Sequence, residues 1–199
     1  MRVIVFDIET QNTFDEVGSS DPADLDISCV VIHDSEDDQY KSYLLDELDK
    51  LWIVLESADL LVGYNSLHFD LPLLNKYYLG DLAHIPHLDL LKEIQGSLGR
   101  RIKLDDVASA TLGVKKSADG LQAVLWWKQG NIDDIVKYCI QDVKVTKGVY
   151  EFAQENGFLY YPTGASKEEI PLPVGTWPEI VASKADEDGS GGMTMGLGL

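Results

Sequence analysis

The stretch Arg2-Val3-Ile4-Val5-Phe6-Asp7-Ile8-Glu9-Thr10 decides how the rest of the chain is read. It is apolar almost throughout until Asp7, which is the pattern of a central strand buried on both faces. Side chains alternate along a strand, so Asp7 and Glu9 project from one face, close enough to share a divalent ion. Hard cations such as magnesium prefer oxygen ligands of this kind. A strand that simply ends in two solvated acids would look the same, so the pair has to be weighed with what lies downstream.

Outward from this strand, a loop rich in Asp, Ser, Gly and Pro covers about residues 11–25. The apolar run 27–32 and the segment 40–45, separated by the acidic turn Asp34-Ser35-Glu36-Asp37-Asp38, read as a hairpin. Three sequential strands without helices between them imply an antiparallel half-sheet. Leu48, Leu51, Trp52 and Leu55 then recur at helical spacing, 60–62 reads as a strand, 69–78 as a helix, and 85–88 as a short strand before a helix from about Asp89. Alternation of strand and helix is the signature of parallel pairing through crossovers. Beyond residue 100 the chain reads as helical: Asp105 or Asp106 caps a helix that Gly113 ends, Asp119 starts another through Trp127, and a long one runs from about 132 to 155 before Gly157. The expected division is one α/β domain over 1–160, an extended strap over 161–184 containing Pro162, Pro171, Pro173 and Pro178, and a disordered tail over 185–199 with Asp186-Glu187-Asp188 and five glycines.

The 199 residues, 45% of them hydrophobic, suffice for one well-packed domain. No apolar run approaches the roughly 18 to 20 residues that span a bilayer, and the start of the chain lacks a signal-peptide layout, so a soluble, cytoplasmic protein without a membrane partner is expected. Cys29 and Cys139 have none of the spacings of zinc or disulfide frameworks and are expected as buried free thiols. A net charge of −18 argues against a general electrostatic grip on nucleic acid, which rests on Lys and Arg displacing counterions. The imbalance is uneven. Residues 15–49 carry twelve Asp or Glu against Lys41, whereas 92–116 carry Lys92, Arg100, Arg101, Lys103, Lys115 and Lys116 against Glu93, Asp105 and Asp106.

Two further acidic sites interrupt apolar segments, where a carboxylate is costly without a partner. In Val62-Gly63-Tyr64-Asn65-Ser66-Leu67-His68-Phe69-Asp70 a strand gives way to a helix, with Asp70 near its first turn. An Asp there also suits the helix dipole with no catalysis at all. In Tyr138-Cys139-Ile140-Gln141-Asp142 a spacing of four puts Tyr138 and Asp142 on one helix face, so an acid and a phenol reach the same place.

Together and in this order, Asp7-x-Glu9-Thr10, Asn65-x-x-x-Phe69-Asp70 and Tyr138-x-x-x-Asp142 resemble the three motifs of the DEDD, or DnaQ-like, exonuclease superfamily over roughly residues 2–155. Tyr138 corresponds to the Tyr-containing DEDDy branch, since the His-containing branch has His one residue earlier, where this chain has Lys137. The resemblance implies a ribonuclease-H-like fold, a mixed five-stranded sheet of three antiparallel then two parallel strands flanked by helices. It implies a 3′→5′ exonuclease that removes nucleoside monophosphates by two-metal hydrolysis with Mg2+ or Mn2+. Asp7, Glu9, Asp70 and Asp142 would be metal ligands, with Tyr138 orienting the attacking water. Substrate contacts would come from Thr10, Asn65, Phe69 and Lys115. Phe14, Trp126 and Trp127 are candidates for base stacking, against an ordinary packing role. The implied partner is a single-stranded 3′ end of DNA or RNA. Two arrangements stay open, a chain working alone and one working with a helicase or polymerase partner. A chain ending at Lys184 is expected to retain activity.

Two other readings stand beside this one. Haloacid-dehalogenase-type phosphatases place Asp-x-Asp-x-Thr at the end of a first strand, but here Glu9 replaces the second Asp and Thr10 follows at once. A non-catalytic nucleic-acid-binding or partner subunit on the same fold is the alternative, against which the presence of all four carboxylates and Tyr138 argues.

Overall fold

In the computed structural model, which describes residues 1–114 and 120–182, the opening strand β1 (Val3–Thr10) lies at the centre of a five-stranded sheet. β2 (Ile27–Asp34) pairs with it antiparallel, with Asp7 opposite Val31 and Glu9 opposite Cys29, and β3 (Gln39–Leu44) continues the antiparallel half. On the other side β4 (Leu60–Gly63) pairs with β1 in parallel, and β5 (His87–Asp89) pairs with β4 in parallel. The order β3-β2-β1-β4-β5 is the mixed sheet expected, three strands antiparallel and then two parallel. β1 has neighbours on both edges and helices on both faces, which explains its lack of alternation.

The two faces of β1 belong to different cores. Ile4, Phe6 and Ile8 pack with α2 (Leu48–Glu56) and α3 (Asp70–Asn75), while Val3 and Val5 pack against α4 (Leu90–Leu98), α5 (Leu104–Leu112), α6 (Gly120–Gln129) and the long α7 (Ile132–Asn156). Leu51 and Leu55 are fully buried, each burial contributing about 2 kcal/mol. α7 buries Ile135, Cys139, Val143, Thr146, Val149, Tyr150 and Ala153 along one stripe, and Gly157 ends it in the left-handed conformation at φ 78°.

Sequence and structure differ in three places. α5 starts at Leu104 with Lys103 in the cap position and no side-chain cap, so Asp105 and Asp106 lie inside the first turn, where they meet the positive end of the helix dipole. α3 is shorter than the periodic pattern, because Asn75 turns to hold the next segment through Leu82 N and Asp81. The segment expected as a lone strap instead forms a hairpin, β6 (Phe158–Thr163) with β7 (Ser166–Pro171). Leu159, Ile170, Leu172 and Trp177 anchor it in the core, a burial that the prolines concealed. The expected start at Asp119 and the tail over 185–199 lie outside the described residues. No helix among the described residues is long and apolar enough to cross a membrane.

Candidate active site

Because Val3 and Val5 face α7, the strand's alternation carries Asp7 and Glu9 onto the same side, where α7 presents Asp142. Carboxylate oxygens of Asp7, Glu9 and Asp142 all lie within 4.8 Å of one another. Under them sit the two thiols, both buried: Cys139 on α7 donates to the Asp7 carbonyl at 3.4 Å and meets Asp7 Oδ2 at 3.6 Å, and Cys29 occupies the β2 position opposite Glu9.

Asp70 arrives from the other side of β1, at the first turn of α3. The turn that brings it there is tightly built. Gly63 has no room for a Cβ, which would lie 2.4 Å from Ser66 Oγ. Ser66 is itself fully buried and hydrogen-bonded to His87 Nε2 at 2.8 Å. Asn65 adopts φ 67°, a left-handed conformation that Asn tolerates better than most residues. Asp89 fixes this geometry: its carboxylate accepts from the N–H groups of Asn65 at 2.8 Å and Leu67 at 3.1 Å while capping α4 through Leu91 at 3.0 Å. Sequence reading found Asp89 only as a helix start. Its second role depends on parallel pairing that sets it beside Gly63, which no local pattern reveals.

These acids open into a cleft of about 300 Å³ lined by, among others, Asp7, Glu9, Thr10, Phe14, Asn65 and Phe69. Asp70 and Asp142 line it too, at the carboxyl ends of the parallel strands, where α/β sheets place their ligands. Phe14 and Phe69 meet edge to face at 6.1 Å, and the Thr10 hydroxyl donates to the Asn12 carbonyl at 2.9 Å. The Asn65 amide oxygen accepts from Arg101 at 2.5 Å. Tyr138 hydrogen-bonds the Asp142 carboxylate and meets the Trp126 ring at 6.1 Å. Trp126 and Trp127 pack against the α7-side core rather than along the cleft wall. Lys115 and Lys116 lie outside the described residues.

The electrostatics are those of acids held together without cations. Asp7, Glu9 and Asp70 pair with no Lys or Arg among the described residues. Burial, followed by the charges of Asp70, Glu9 and Asp142, pushes the Asp7 carboxyl well above the usual range. Burial and then Asp142 do the same to Glu9. Burial lifts Asp70 to about 8, and the Asp70 and Ile8 N–H groups oppose the rise. Burial and the nearby Asp142 also raise Tyr138, so at neutral pH the phenol is a donor and not a base. Oxygen donors of one sign, crowded and desolvated, fit divalent cations, which relieve the repulsion that otherwise costs stability.

The family RNase_H_2 of the RNase_H superfamily matches residues 4–154. A family B DNA polymerase from the hyperthermophilic archaeon Pyrobaculum calidifontis is similar in structure, with a TM-score of 0.60 at 22% identity over 77% of this chain. The chain spans only 24% of that polymerase's length, and the likeness concerns the fold. No curated protein matches the chain.

Proposed function

We propose that this chain, which belongs to the RNase H superfamily, is a metal-dependent 3′→5′ exonuclease of the DEDDy type, trimming single-stranded nucleic acid from its 3′ end. The observation that carries the reading is the convergence of four carboxylates, Asp7, Glu9, Asp70 and Asp142, from three separate segments on one cleft, with a protonated phenol hydrogen-bonded to one of them. Asp7, Glu9 and Asp142 would hold one cation, and Asp70 with Asp7 a second. Mg2+ or Mn2+ held there would supply Lewis acidity toward a water and positive charge toward the departing 3′ oxygen. Tyr138 would position that water by donating from its hydroxyl, a role that suits a phenol whose pKa burial and Asp142 raise. Thr10, Asn65, Phe69 and Phe14 line the wall against which the terminal nucleotide packs.

Matched DNA and RNA single strands labelled at the 5′ end test it, each with a free and a chemically blocked 3′ end. Expected is Mn2+-dependent stepwise shortening of the free strands alone, with the preferred sugar read directly. Internal cleavage of blocked strands would replace the exonuclease with an endonuclease, and binding without shortening would leave a non-catalytic subunit.

A further inference from the structure

Thirteen Lys and Arg side chains lie among the described residues, and seven of them pair with carboxylates: Arg2, Lys41, Lys50, Lys76, Lys128, Lys137 and Lys147. In a chain of net charge −18, the other six described cations have no carboxylate partner and are the ones left to meet another anion. Three of those six, Arg100, Arg101 and Lys103, sit in one short connection between α4 and α5.

That connection is tied to the cleft. The Tyr64 hydroxyl donates to the Ile102 carbonyl at 2.8 Å, and Arg101 Nη2 donates to Asn65 Oδ1 at 2.5 Å, with Tyr64 and Asn65 both lining the cleft. Arg100 lies over the Tyr161 ring at 5.1 Å, so consecutive arginines part, one toward the β6–β7 hairpin and one toward the cleft. Asn65 is held by its backbone through Asp89, which fixes the amide that receives Arg101. A guanidinium has five N–H donors, and an amide oxygen takes one without neutralising the charge. The rest of the fork suits the two oxygens of a phosphodiester.

We infer that Arg101 is a substrate-positioning residue: it seats a backbone phosphate of the single strand on the 5′ side of the bond that is cut, with Asn65 holding the fork in place. This rests on the exonuclease reading for the identity of the strand. It explains how an acidic protein, whose carboxylate cleft repels phosphate, keeps a strand in register. One oriented cation beside the cleft holds it where the described residues offer no broad basic surface.

The test combines steady-state trimming with Mn2+ and fluorescence-anisotropy binding of a labelled oligothymidylate in EDTA, both across 50–200 mM salt. Arg101→Gln is expected to raise KM about tenfold with kcat within about threefold, and to lower the slope of log affinity against log salt by about 0.7, the value for one phosphate contact on a single strand. Arg101→Lys, which keeps the charge and loses the fork, is expected to keep the slope and recover part of the KM. Lys92→Gln removes a charge from α4, away from the cleft lining, and is expected to change neither. If the wild type trims strands and Arg101→Gln matches it in KM and slope, the assignment of Arg101 is overturned and the exonuclease reading stands. A fall in kcat alone, with KM and slope unchanged, also overturns it, pointing to a merely structural role. If the wild type trims nothing yet Arg101→Gln flattens the salt slope, the exonuclease reading fails and the strand contact stands. A wild type that binds no strand overturns both.

Discussion

Asp70→Asn isolates the electrostatic part of the account, because it preserves shape and removes charge. The carboxyl is only 4% exposed, and burial raises its pKa from 3.8 to about 8. A group titrating that much higher in the folded than in the unfolded state costs the metal-free protein at most about 6 kcal/mol above pH 8, at about 1.4 kcal/mol per tenfold change in proton affinity. An amide is still desolvated there, and Asp7 and Glu9 go on repelling one another, so we expect about a third of this, about 2 kcal/mol, to appear as a gain. For a chain of this size that is about 4 to 8 °C in Tm. The sign follows from linkage: stability from the protonated acid is fully present below 3.8 and is lost as pH rises through about 8. By calorimetry in EDTA, the variant should melt above the wild type at pH 8 and converge with it near pH 4. Added Mn2+ should raise the wild type more than the variant. A variant that melts below the wild type at pH 8 without metal, or a gain that ignores pH, would refute the reasoning.

Other outcomes follow from the same geometry. Gly63→Ala should cost about 1 to 3 kcal/mol in a urea titration, because the new Cβ lies 2.4 Å from Ser66 Oγ in a turn without slack. Asp89→Ala removes the acceptor for the N–H groups of Asn65, Leu67 and Leu91, and should lose about 2 to 4 kcal/mol of stability together with activity, whereas Asp89→Asn keeps part of both. Tyr138→Phe should lower kcat about 10- to 100-fold with little change in KM or in the number of Mn2+ ions bound, a pattern that separates water positioning from metal binding.

The sheet and the carboxylates were legible in the sequence because each rests on a short-range rule. Alternation in β1 put Asp7 and Glu9 on one face, and a spacing of four put Tyr138 with Asp142. The hairpin 158–171 was not legible, since Pro162, Pro171 and Pro173 suggest a chain without partners, while the burial of Leu159 and Ile170 depends on α5 and α7 packing against β6 and α4 against β7. Asp89 and Arg101 escaped notice for a related reason: each matters through a partner 24 or 36 residues away, reached only once β4 and β5 lie side by side.

The most direct test of the central claim is the rate at which mononucleotides leave the 3′ end of a 5′-labelled single strand in Mn2+, compared between wild type and Asp7→Asn. Asp7 touches every other member of the cluster electrostatically, so removing its charge should slow release by about a thousandfold or more, about 4 kcal/mol of barrier, while strand binding in EDTA persists. Equal rates in the two proteins, or no release by the wild type, would contradict a metal-holding carboxylate site as the source of activity.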